Sequence, residues 1–492
     1  MACKTCRFGV FFDGTGNSLG IDGDAKSNVA KLFESYLTGE VKENFLVDKH
    51  YEVGIGTYMT QGEYDTYSVQ RKIDKGYGGG GAKRIYSAID AACAFFDAKV
   101  FGDEPGQYKV RTIDVFGFSR GAAEARDFVN TFIREVVRGP SKKYKDIRFN
   151  FIGIFDTVGS FGVAGNDIDM KPASKDYANE VSEADGFSEH TGTELIRKKR
   201  IFATSQEADA FVLQKRQAGW EILYNQNNTV IYAQKESILY TPYNFNLKQG
   251  ANASAKHIVH FVAHDEKRYN FPLTDIAGSG GFECLMMGVH SDVGGGYPKR
   301  MTQALSFLIP YKNKQAIANA KAHGWQAGEV NYFMGAPTTV KMSKKRVVSN
   351  DLSVVYWHLM HLVAQRYDIY LKEPDEAISP ELMLYFEYAK TDMVNAYTYE
   401  KTAHGKLLKE KYIHFSSVDI ADIETFHDGD TEVLDLWTED SPDLIGGNDM
   451  RYVDSATGKS VDARENPAYP KERLASQREV FHNKPNKAVK IA

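Results

Sequence analysis

Four cysteines in 492 residues are too few for a disulfide scaffold. Cys3 and Cys6 have Cys-x-x-Cys spacing, but Cys93 and Cys284 stand alone, so no second pair completes a tetrahedral zinc set. The four read as thiols with at most one local disulfide. No run of 18 apolar residues occurs, which excludes a membrane-spanning helix. The stretch Met1 to Arg7 lacks the apolar core and small-residue cleavage site of a secretory signal. The expectation is a protein made in the cytoplasm and carried elsewhere, if at all, by another machine. Positive charge is not in excess: a net charge of -5 and a pI near 6.3 argue against a nucleic-acid binder. The glycine run Gly76 to Gly81 precedes a helical pattern but is followed by Ala82 rather than lysine, so the nucleotide-binding P-loop is absent. No calcium loop is present, and neither a metal nor a cofactor is expected.

What is present is a core-forming composition, 42% hydrophobic and 25% charged, enough for one large domain with insertions or for two to three domains. The run Asp114-Val115-Phe116-Gly117-Phe118-Ser119-Arg120-Gly121 is apolar up to a serine between two glycines, and then apolar at helical spacing through Ala122, Ala125, Phe128, Val129 and Phe132. Strand, sharp turn and helix make a nucleophile elbow, with Ser119 exposed above a sheet edge. An earlier strand, Phe8 to Phe12, runs into Asp13-Gly14-Thr15-Gly16-Asn17. Such a turn at the carboxyl end of a sheet could cradle a phosphate, donate hydrogen bonds to an oxyanion, or be a tight turn with no ligand.

Asp156 ends a further strand, 37 residues after Ser119, where it is either a triad acid or a loop cap. Glu283 to Val289 delivers His290 into a glycine-rich loop; in the order Ser, Asp, His it completes an α/β-hydrolase triad in which His290 takes the serine proton. His414 is a reserve base. The predicted fold is a mostly parallel α/β sheet of the α/β-hydrolase kind, with helices on both faces. Its expected divisions are residues 1–162 (first part of the core, with the elbow), 163–256 (insertion, candidate lid), 257–300 (core strands with the base), 301–350 (basic, irregular insertion), 351–417 (helical completion) and 418–492 (polar tail, possible docking extension). The basic runs Arg197 to Arg200 and Lys344 to Arg346 are solvated faces or contacts to anionic headgroups. The apolar cluster Leu305 to Ile309 could dip into a bilayer interface or pack.

Four blocks, Phe11 to Asn17, Gly117 to Ala123, Phe155 to Gly159 and Val289 to Tyr297, together with Ala263 to Arg268, resemble the lipase effectors of bacterial type VI secretion. The resemblance covers roughly residues 7 to 300. It implies an α/β-hydrolase catalytic domain acting as a phospholipase of the A type on membrane glycerophospholipids. It implies transient contact with a membrane surface, a spike or tube protein as carrier, delivery to the periplasm of rival cells and a cognate immunity protein in the producer. Carried over by motif, Ser119 is the nucleophile, Asp156 the acid and His290 the base; mechanistically, the oxyanion is expected to be held by the Arg120 N–H and by N–H groups of the Gly14-Thr15 turn. The alternatives are a phosphotransferase using Asp13-Gly14-Thr15 and a catalytically silent secretion adaptor.

Overall fold

The computed structural model describes residues 4–19, 26–55, 81–101, 108–159, 190–217, 221–226, 228–240, 245–250, 253–266, 271, 273–322, 324–414, 417–419, 433–438, 451–453, 459–462, 475–476 and 480–481. The chain divides into two compact units, Met1–Asn166 with Asn244–Asn486, and Asp167–Tyr243 with Lys487–Ala492.

In the larger unit the chain begins with β1 (Lys4–Phe12), α1 (Asn28–Ser35), β2 (Gly39–Lys42), β3 (Phe45–Glu52), α2 (Gly81–Lys99), β4 (Tyr108–Phe118), α3 (Arg120–Thr131) and β5 (Ile147–Phe155). The smaller unit holds β6 (His190–Ile201), α4 (Ser205–Gln217), β7 (Glu221–Gln226) and β8 (Thr229–Tyr240), an antiparallel sheet in the order β6-β8-β7. Its core is small: Ala208, Phe211 and Val212 of α4 cluster with Val230 of β8. Returning to the larger unit, β9 (His257–Ala263), the short β10 (Leu273–Thr274) and β11 (Phe282–Met286) follow. Seven strands form the central sheet in the order β11-β9-β5-β4-β1-β3-β2. Every pairing is parallel except that of the edge strand β2 with β3.

Continuous apolar strands such as Phe8 to Phe12 are what a sheet covered on both faces requires, because alternate side chains enter different layers. On one face Phe12 packs against Phe128 of α3, and Phe8 stacks on Phe95 of α2. On the other, Phe11 stacks on Phe116 with ring centroids 4.8 Å apart and meets Tyr36 beside α1. Ser27 caps α1, its side chain accepting the Ala30 N–H at 3.0 Å. Leu352, Tyr356, Leu359 and Met360 of a helix over Asp351–Arg366 complete that layer. Further on, the chain is α-helical over Met383–Thr391, with short 3-10 turns on either side, Pro380–Leu382 and Ala396–Lys401.

The stretch expected to be irregular, 301–350, is instead regular. It forms β12 (Arg300–Pro310), a helix over Lys314–Ala322, β13 (Gln326–Phe333) and β14 (Ala336–Ser349), an antiparallel sheet. Lysines hid the pattern: along β14, Val340, Met342 and Val348 turn inward while Lys344 and Lys345 stand exposed. Leu305 to Ile309 lies within β12, and Ile309 is buried. The expected polar tail also contains strands: after β15 (Ser417–Asp419), β16 (Val433–Thr438) pairs with β12. Cys6 is a buried free thiol in β1, pushed up to about 12 by burial, and Cys93 and Cys284 are free as well. Cys3, the glycine run 76–80 and residues 163–189 of the expected insertion lie outside the described residues.

Two glycines let α3 lie against the sheet. A Cβ at Gly121 would stand 2.3 Å from Asp13 O and 2.4 Å from Phe12 O, and one at Gly117 would stand 2.6 Å from Gly121 O. These are backbone obstacles that cannot rotate away. Gly121→Ala is therefore expected to cost about 2 kcal/mol or more, read as a lower urea midpoint, whereas Gly250→Ala, with nothing within 4 Å but φ at +76°, should cost only about 1 kcal/mol.

Candidate active site

The carboxyl ends of β1, β4 and β5 bring three loops together, as open α/β sheets require of a ligand site. Ser119 follows β4 with φ 59° and ψ -127°, a conformation that L-residues adopt only under constraint. The constraint is visible on both sides. The Ser119 N–H donates to Phe155 O of β5 at 3.0 Å, and its carbonyl accepts from Ala122 N at 3.1 Å and Val158 N at 3.2 Å. The turn is thus stitched to the neighbouring strand end and to the first turn of α3.

Asp156 sits one residue beyond β5, also with positive φ (42°), and is fully buried. Its Oδ1 accepts the Ala263 N–H at 2.9 Å, and its Oδ2 lies 2.5 Å from His290 Nδ1. With the carboxylate accepting at Nδ1, that nitrogen carries the proton and Nε2 keeps its lone pair. His290 opens a single helical turn, His290–Gly294, whose N-terminus is fixed by Asp292 Oδ2 accepting Val289 N–H at 2.9 Å. The imidazole lies between Phe118, centroids 4.7 Å apart, and Phe271, at 4.8 Å. Phe118 is the residue before Ser119, so the elbow itself supplies one wall of the histidine's slot. Among the described residues Ser119 Oγ is not hydrogen-bonded to His290; such contacts often tighten only with substrate bound.

Of the expected oxyanion group, Arg120 opens α3, and its guanidinium donates to Thr15 Oγ1 at 3.3 Å, tying the helix start to the β1 turn. The Gly14 N–H donates to Asp13 Oδ1 at 2.7 Å, within its own turn. The residue must be glycine for space: a Cβ there would stand 2.4 Å from Phe118 Cδ1. Asp13 is fully buried and also accepts from Tyr51 OH. Burial pushes its carboxyl up to about 6, against the lowering effect of hydrogen bonds from Ser27, Tyr51 and Gly14.

The reserve base, His414, has a carboxylate of its own. Its Nδ1 lies 2.5 Å from Asp292 Oδ1, its ring stacks on Tyr297, and both partners are buried. In a third pair, buried His260 places Nδ1 3.1 Å from Oε2 of the half-buried Glu283, and its Nε2 is occupied by the Thr157 N–H. His264, Asp265 and Glu400 are grouped closely enough to hold a cation, but the Lys409 ammonium stands 2.7 Å from Asp265 and 3.2 Å from Glu400.

Residues 7–137 match the family model for the catalytic domain of Tle1-like phospholipase effectors of the type VI secretion system. This is the kind of effector that the sequence blocks resemble. The matched stretch contains the Asp13 turn and the Ser119 elbow and stops short of Asp156 and His290. Among solved structures, the chain is similar to the Tle1 effector bound to the VgrG spike from the type 6 secretion system. The identity is 18%, 97% of this chain and 94% of that one are covered, and the TM-score is 0.49. It is also similar to an uncharacterized protein from Pseudomonas aeruginosa, at 17% identity, 79% and 51% coverage and a TM-score of 0.38. No curated protein matches the sequence.

One residue that sequence reading did not single out is Glu124, one turn into α3. It is fully buried, neither carboxyl oxygen has a hydrogen-bond partner among the described residues, and burial pushes it up to about 8, with Arg84 pulling it back. Its signal was a lone acid in the small-residue run Ala122-Ala123-Glu124-Ala125. The unfolded chain releases this proton near the ordinary carboxyl value of 4.5 and the folded chain only near 8. The folded state therefore binds more protons through that interval, and stability falls as pH rises through it. Glu124→Gln should raise Tm relative to the wild type by an amount that grows from about pH 5 to about pH 8; a pH-independent difference would contradict the burial argument.

Proposed function

We propose that the protein is a serine esterase that hydrolyses acyl esters of membrane glycerophospholipids, as a phospholipase of the A type, through Ser119, Asp156 and His290. The observation that carries the reading is the 2.5 Å contact of Asp156 Oδ2 with His290 Nδ1, on the sheet edge where the strained Ser119 turn stands. The family match at residues 7–137 supports the lipid substrate class.

His290 Nε2 accepts the Ser119 hydroxyl proton as Oγ attacks the ester carbonyl. Asp156, buried and held by the Ala263 N–H, stays ionised and stabilises the imidazolium. The tetrahedral oxyanion forms beside the start of α3, where the Arg120 N–H and the Thr15 N–H are the proposed donors; one such donor is worth about 10²–10³ in rate. The imidazolium gives its proton to the departing alcohol oxygen, releasing the lysophospholipid. Water, activated by the same histidine, then frees the fatty acid from Ser119. Phe118 and Phe271 shield the imidazole faces, which strengthens the carboxylate–imidazolium attraction.

The Asp13 turn is poorly suited to the phosphotransferase alternative. Its first amide is spent on Asp13, and a buried carboxyl that ionises above about pH 6 would repel a phosphate there. The matched family description names the type VI secretion system; the proposal extends to a spike or tube protein as carrier, the periplasm of rival cells as destination and an immunity protein in the producer. Among the described residues no helix is long and apolar enough to cross a membrane.

Ser119→Ala should abolish release of fatty acid from phospholipid vesicles while leaving the urea midpoint nearly unchanged, and mass spectrometry of the wild-type products gives the position cut. Asp156→Asn should lower kcat by roughly 10⁴ through loss of the His290 tautomer. Fatty acid released at the wild-type rate by Ser119→Ala would refute the reading.

A further inference from the structure

The β13–β14 hairpin ends in apolar side chains that no described residue covers. Tyr332 is 66%, Phe333 67% and Met334 92% exposed. Met334 and Gly335 form the two-residue turn, both with positive φ (49° and 79°). That turn favours Asn-Gly, because a side chain at its first position is strained in the left-handed region. Methionine there is costly to the hairpin and contributes nothing to a core, so folding alone does not account for it.

The surroundings are strongly positive. Between Tyr311 and Arg346 the chain carries six lysines against a single carboxylate, Glu329, in a protein whose net charge is -5. Two of these lysines stand near the tip. The Tyr311 N–H donates to Thr338 O, three residues beyond the turn, which brings Lys312 and Lys314 alongside; the Lys314 ammonium lies over the Tyr311 ring.

The arm is rooted in the loop of the proposed base. β12 starts ten residues after His290, and where β14 ends, Ser349 Oγ donates to Lys299 O and the Asn350 amide donates to Tyr297 O. Arg346 donates to Ile413 O beside His414, which in turn holds Asp292. At about 3.4 Å per residue, β14 is on the order of 45 Å long.

We propose that the Tyr332-Phe333-Met334 tip is a docking wedge for an anionic lipid surface. The three side chains enter the headgroup region, and the lysines of the arm face the lipid phosphates. A protruding apolar point with a cationic collar fits a fluid, negatively charged interface, where aromatic rings and methionine bury at headgroup depth. The wedge deepens the proposed function, since it would hold an interfacial esterase within one strand's length of its substrate, but the docking itself does not depend on Ser119.

The test uses the full chain carrying Ser119→Ala, so that vesicles stay intact, pelleted with sucrose-loaded phosphatidylcholine vesicles with and without phosphatidylglycerol. The chain should bind the anionic vesicles, with affinity falling as salt rises. Phe333→Ser with Met334→Ser should lower the partition coefficient by about tenfold or more, and Lys312→Glu with Lys314→Glu should remove the preference for phosphatidylglycerol. Met334→Trp, compared with its parent, should gain blue-shifted emission that brominated lipid quenches. Equal binding by the serine double variant, no binding by the parent chain, or added emission from Met334→Trp that brominated lipid leaves unquenched would each overturn the wedge, the last two even if the serine variant misfolds. With Ser119 intact, the serine double variant should still hydrolyse a soluble short-chain ester within about twofold of wild type. No ester hydrolysis by either chain would count against the triad and leave the pelleting result to decide the wedge.

Discussion

The strained turn at Ser119 is the constraint on which the rest of the site depends. A residue with a side chain is held at φ 59° because both its peptide groups are hydrogen-bonded to elements that cannot yield, β5 on one side and the start of α3 on the other. That arrangement requires α3 to approach β1 to within backbone contact, hence Gly121, and requires β4 to pass under α3, hence Gly117. Conformational strain of this kind costs about 1–3 kcal/mol and persists only where the surroundings over-determine it. Here they include the stacked phenylalanines of both sheet faces.

Among the described residues three buried histidines are each held by a carboxylate, His290 by Asp156, His260 by the half-buried Glu283 and His414 by Asp292. Each carboxylate orients its imidazole through Nδ1, and what separates them is what faces Nε2. His260 spends it on the Thr157 N–H, and His414 turns its own into a buried position away from any partner among the described residues. Of the three, His290 packs against Phe118, next to the serine. Asp292 also caps the helical turn that His290 opens, so the His414 pair braces the loop that carries the proposed base.

Much of this was legible in the sequence because local chemistry and fold agree. The continuous apolar strands and the serine between two glycines each dictate one conformation, the aspartate at a strand end left two readings open, and the parallel sheet follows from the alternation of strands with helices. The pairing of Asp156 with His290 across 134 residues was legible as chain order, but the 2.5 Å contact was not, since order says nothing about distance. The Gly14 hydrogen bond was hidden for a related reason: a strand-to-glycine turn offers free amides in general, and only the folded position of the Asp13 side chain engages this one. The sheet of β12, β13 and β14 was missed because lysine is a poor strand former and masks the alternation on an exposed face. Glu124 was overlooked because nothing in a helical pattern tells a buried acid from a solvated one.

The central claim, that the constrained Ser119 is a nucleophile activated by His290 and Asp156, is tested most directly by covalent capture. A fluorophosphonate probe is reacted with the folded protein and the modified peptide is mapped by mass spectrometry. The account predicts a single adduct on Ser119, slowed strongly by His290→Ala or Asp156→Asn in chains whose urea midpoints stay near that of the wild type. An adduct on another residue, or labelling of Ser119 at an undiminished rate without His290, would contradict it.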